Sequence, residues 1–148
     1  AADPASVVLR TGRPLLVIGD RVEHVAARTV SVAWKDGREA RRAVADAIPF
    51  LAAAEEVSVV SVARRVDDEL RRSLGDVVAY LAAHGIKARP ELIERADENA
   101  ALVDFMASAR PDLVVSGAYG HSRLREWAFG GVTRFLLEEA GLNSFMSS

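Results

Sequence analysis

Two hydrophobic periods alternate along this chain, and that alternation limits the fold more than any other feature. Val30–Trp34, Val57–Ala63 and Leu113–Ser116 are short β-branched runs with the length and apolar content of buried strands. Apolar residues at helical spacing separate them. After a turn at Lys35–Arg38, Ala40, Ala43, Val44, Ala47, Ile48 and Leu51 mark one face of a helix reaching about Ala54, which Pro49 is expected to kink or shorten. Asp67 is placed to cap a second helix carrying Leu70, Leu74, Val77, Val78 and Leu81, with Gly85 as its stop. Asp97 is placed to cap a third, with Leu102, Phe105, Met106 and Ala109 inward and Arg110-Pro111 as its end. Residues Ile86 to Ile93 make a poorer strand, broken by Pro90, and belong at a sheet edge. Strands and helices in this order require right-handed crossovers, so the expected class is α/β with a mostly parallel sheet.

At 148 residues the chain fits one domain with a real core. Its net charge of −2 gives no footprint for nucleic acid or for an anionic membrane. No apolar run reaches membrane-spanning length and no signal-peptide pattern opens the sequence, so no membrane partner is expected. The lack of cysteine excludes disulfides, thiol catalysis and cysteine-ligated metals, and it fits a cytoplasmic location. His24, His84 and His121 have no metal-ligand spacing, so no metal site is assigned.

The chemistry concentrates after the strand at Leu113–Ser116. Gly117 and Gly120 lead into a nine-residue loop, which ends at Gly130, Gly131, Val132 and Thr133. A helix to about Ala140 comes next, then a last strand near Asn143 to Met146. Backbone without Cβ lets a ligand come close, and the first N–H groups of a helix lack intrahelical partners. Such a place can hold phosphate through backbone donors and the helix dipole, and Arg123 and Arg125 can add charge-assisted bonds. Equally, each glycine can serve a tight turn or a cap, and spacing leaves both readings open.

This stretch resembles the glycine signature of the universal stress protein family. Gly117, Gly120 and Gly130 fall on its three glycines, and Val132-Thr133 match the usual end of that signature. The resemblance runs from about Arg28 to the C-terminus. It implies a three-layer sandwich with a five-stranded, mostly parallel sheet of order 3-2-1-4-5, Rossmann-like in the manner of the adenine nucleotide alpha hydrolases. It also implies ATP or another adenine nucleotide at the switch point between the first and fourth strands, with Mg²⁺ as a candidate counter-ion. Val62 matches the valine beside the adenine. Lys35 falls on the position of the ligand-contacting Asp, Asp36 comes one residue later, and Gly131 stands where nucleotide-binding members carry Ser or Thr. The implied nucleotide set is therefore Asp36, Val62, Gly117, Gly120, Gly130, Gly131, Val132 and Thr133, with Lys35, Arg123 and Arg125 as further phosphate contacts. No catalytic residue is assigned. Glu126 is the only acid between Gly117 and Thr133, and phosphoryl transfer needs more than that, so a non-enzymatic role is expected and weak ATPase activity stays open.

Residues 7–20 and 135–148 share an order: an apolar triplet, two polar residues, a small-residue turn and a strand-like run. Residues 1–20 then read as the tail of a preceding copy or as an N-terminal arm, with 28–148 as the universal-stress-protein-like domain. Two functions are open to such a chain. One is a stress-response regulator that binds adenine nucleotide at the 117–133 loop. The other is a dimerisation or scaffold module that does not bind nucleotide. The expected partner is a second copy through the last strand, or, in a tandem chain, the Leu15–Ile18 strand at that same edge.

Overall fold

The computed structural model describes residues 14–17, 27–117 and 143–147. In chain order these form β1 (Leu15–Val17), β2 (Thr29–Ala33), α1 (Arg38–Ala53), β3 (Glu56–Ala63), α2 (Asp68–Ala83), β4 (Ala88–Glu94), α3 (Glu98–Ala109), β5 (Leu113–Gly117) and β6 (Asn143–Ser147). The sheet order is β1-β6-β5-β2-β3-β4. Strands β2 to β6 pair in parallel, and from the β4 edge they give the expected 3-2-1-4-5. A sixth strand extends that sheet, since β1 pairs antiparallel with β6.

The strand period of two divides the core into two layers. Val30, Val32 and Trp34 of the β2 segment, Val57 and Val59 of β3, and Leu113 and Val115 of β5 pack under α1 and α2. Their neighbours Ala33, Val60, Val62 and Val114 face the other way, onto Ala101, Leu102 and Met106 of α3. Strand β3 is buried on both faces, which is why it reads as a continuous apolar run. Strand β4 lies at the sheet edge, where Pro90 is tolerated.

Local signals set most ends. The Asp67 and Asp97 carboxylates accept the Leu70 and Ala100 N–H groups at 2.8 and 3.0 Å, as N-caps do. Gly85 takes φ 76° just past α2, the left-handed turn that glycine adopts without strain. Two expectations need correction. Pro49 does not shorten α1, which continues to Ala53. Pro49 and Ala45 share the exposed face, so the carbonyl left without an N–H partner can take water. Ala109 is exposed rather than inward, because residues 107–110 all lie at the surface beyond the packed stripe, and Ala101 is buried in its place.

Several buried serines on the strands have hydrogen-bond partners. Ser31 and Ser58, opposite one another in register, share a hydrogen bond of 2.9 Å. Ser147 donates to the Asp46 carboxylate at 2.7 Å, tying β6 to α1. Among the described residues, no helix is long and apolar enough to cross a membrane.

Gly117 ends β5 against the first turn of α1. A Cβ there would lie 2.8 Å from the Ala40 nitrogen and 2.8 Å from the Glu39 carbonyl carbon. Both are backbone atoms, so neither can swing aside. Gly117→Ala is therefore expected to lower the unfolding free energy by about 1–3 kcal/mol, as overpacking does. Urea denaturation checks this, and an unchanged midpoint would contradict the close approach.

Candidate functional site

In an open parallel sheet the carboxyl ends of two strands can diverge where the chain order reverses. Here that point lies between β2 and β5. Their register runs Val30↔Leu113, Ser31↔Val114 and Val32↔Val115, and goes no further. Beyond Val32, β2 stays with β3: Ala33 pairs with Val60, and the Trp34 N–H still donates to the Val60 carbonyl at 2.8 Å. The Ser61 hydroxyl donates to the Trp34 carbonyl at 2.9 Å, so both backbone groups of Trp34 are held from the β3 side. Beyond Val115, β5 follows β6 instead, with Ser116↔Met146 and Gly117↔Ser147. The pairing of the two central strands thus stops at Val32↔Val115, and past that pair each carboxyl end is held by its other neighbour.

Alternation decides which side chains face which side of the sheet. Ala33 packs with Val62 on the α3 side, while Trp34 turns to the α1 and α2 side. Lys35 returns to the α3 side, where its Nζ lies 3.2 Å from Oε2 of Glu98 in the first turn of α3. The other oxygen of Glu98 accepts the Arg64 N–H at 3.3 Å, so one carboxylate joins the ends of β2, β3 and α3. Asp36 points back again and binds Arg41 through two hydrogen bonds, 2.9 and 3.1 Å. That hydrogen bonding, with the carboxylate charge second, pushes the Arg41 pKa up.

Lys35 and Val62 are thus brought to the same side of the sheet. Asp36 is not brought to them; it is engaged with Arg41 on the other side. Gly117 ends β5 beside that switch point, and the α1 backbone accounts for its missing side chain. Gly120, Gly130, Gly131, Val132, Thr133, Arg123 and Arg125 lie outside the described residues. Among the described residues, no group of three or more His, Cys, Asp or Glu is placed to hold a metal ion. Reading the sequence missed Glu98, whose only signal was an acid one residue after the Asp97 cap. It also missed Ser61, which reads as a polar interruption in an apolar strand.

No protein-family model matches the chain, and no curated protein matches it. Solved structures do. A universal stress protein from Archaeoglobus fulgidus DSM 4304 superposes with a TM-score of 0.72 at 15% identity, covering 98% of this chain and 53% of that one. The chain thus spans about half the length of that relative. A protein from the universal stress protein family of Burkholderia pseudomallei gives 0.61 at 22% identity, over 81% of this chain and 95% of that one. A universal stress protein family protein from Arabidopsis thaliana, solved with AMP bound, gives 0.56 at 17% identity over 81% and 90%. In strand order, layers and crossovers, this chain has the fold of the universal stress proteins.

Proposed function

We propose that this chain is a regulatory member of the universal stress protein family and binds an adenine nucleotide between the carboxyl ends of β2 and β5. The observation that carries this reading is the end of the pairing of those strands at Val32↔Val115, at the switch point where open α/β sheets take ligands. The AMP held by the Arabidopsis relative supports the ligand class. Val62 supplies an apolar wall on the α3 side. Lys35 stands where an acid is expected, and its ammonium favours the phosphate end of the ligand. ATP would then be held chiefly by backbone amides of the 117–133 loop, with Mg²⁺ as a counter-ion and no hydrolysis required of the site.

Titration calorimetry with ATP and AMP, with and without Mg²⁺, tests this. Gly130→Val is expected to weaken binding by about tenfold or more, since a branched side chain would stand where phosphate must approach. Lys35→Ala is expected to weaken ATP but leave adenosine unchanged. Equal heats from wild type and Gly130→Val would overturn the reading.

A second reading, a module for pairing with another domain of the same fold, is favoured by the register of β1 on β6. Leu15, Leu16 and Val17 pair with Met146, Phe145 and Ser144. Aligning residues 7–20 on 135–148 places Leu15 on Asn143, Leu16 on Ser144 and Val17 on Phe145. In those terms, the Ser144 equivalent meets Phe145 and the Phe145 equivalent meets Ser144. That is the reciprocal pattern of a two-fold interface. Residues 1–20 would then be the tail of a preceding copy, and 28–148 the domain it pairs with. The chain has no cysteine, so Leu16→Cys with Phe145→Cys gives a clean probe. Oxidation is expected to give an intramolecular disulfide in a monomer. Disulfide-linked dimers would mean the last strand pairs between chains instead.

A further inference from the structure

A cleft of about 460 Å³ opens between α1 and α2, on the face of the sheet opposite α3. Lys35 and Val62 face α3, so this cleft is separate from the proposed nucleotide site. Its volume falls in the range of small-molecule sites. Trp34, Val44 and Val77 are buried where they line it. The only polar atom of the indole is already used, because Trp34 Nε1 donates to the Ser73 hydroxyl at 3.0 Å. The floor is therefore apolar and fixed in orientation.

The rim carries the specificity. Among the described residues, Tyr80 is the large hydrophobic side chain that stands exposed, at 41%, and it lines this cleft. His84 supports the ring, with centroids 4.8 Å apart. Asp36 and Arg41 neutralise each other through their paired hydrogen bonds. Asp76 also lines the cleft and has no hydrogen-bond or ion-pair partner among the described residues. A carboxylate without a partner among the described residues thus stands beside an exposed aromatic ring, above an apolar floor. A cation is favoured both by the carboxylate and by the ring face.

We propose that this cleft is a second ligand site, which takes a small amine with an aromatic or aliphatic body: the body rests on Trp34, Val44 and Val77, and the ammonium sits between Asp76 and Tyr80. Such a site is independent of nucleotide binding.

Phenethylamine, its neutral counterpart 2-phenylethanol and the anion 3-phenylpropionate serve as probes, titrated into the full chain by calorimetry. Phenethylamine is expected to bind about tenfold tighter than the alcohol, with the anion weakest. Asp76→Asn, a change at an exposed position, is expected to remove the preference for the amine while leaving the weaker alcohol binding in place. Ala45→Phe, at an exposed position on the α1 wall, is expected to block both. Circular dichroism establishes that the variants are folded. Equal affinities of wild type for amine and alcohol would overturn the proposal. So would no detectable binding of any probe, or unchanged binding in folded Ala45→Phe. Gly130→Val is expected to leave amine binding intact, so failure of one site can be told from failure of the other.

Discussion

The attachment of the β2 end to β3 governs everything built at the carboxyl side of this sheet. Trp34 uses its N–H on Val60 and its carbonyl on Ser61, so the chain cannot drift toward β5 after Val32. That one attachment has two effects. The pairing of the central strands stops at the switch point, where the proposed ligand would sit. The next side chains take fixed alternate directions, Trp34 and Asp36 to the α1 and α2 face, Lys35 to the α3 face.

Stability and site chemistry draw on different interactions. Each fully buried Val or Leu contributes about 1.5–3 kcal/mol, and the two apolar layers hold many of them. A half-exposed ion pair contributes about 0–1 kcal/mol, so Lys35–Glu98 does little for the fold as a whole. Its effect is positional: it holds an ammonium past the carboxyl end of β2 and, through Arg64, joins the ends of three elements. Gly117 shows the opposite allocation. A residue that spacing assigns to a ligand is required here by helix packing, because α1 leaves no room for a Cβ. Both requirements can hold at one residue, but only the packing one is visible in the described backbone.

Much of the fold was legible in the sequence because its signals were local. Asp67, Asp97 and Gly85 act on residues within one turn, and Pro90 can only be accommodated at an edge. Pro49 does not end its helix because its cost depends on which helix face carries it, and here that face is wet. Ala109 misled because helical spacing does not reveal where the sheet beneath a helix stops. At the site, the structure puts Lys35 and Val62 on the α3 side of the sheet, a pairing that the sequence analysis did not draw. The Lys35–Glu98 contact spans 63 residues, a separation that no local pattern encodes. The partner of Asp36 is likewise not encoded by alternation, since Arg41 reads in sequence as an ordinary solvated charge.

The central claim is that the carboxyl ends of β2 and β5 form a nucleotide seat, and amide chemical shifts test it most directly. On titration with AMP, resonances of Ala33, Lys35, Val62, Ser116 and Gly117 are expected to move together and saturate. Those of Thr29 and Leu113, at the amino ends of the same strands, should stay in place. Shifts confined to the α1–α2 cleft, or no saturating shifts at the β2 and β5 ends, would contradict the account.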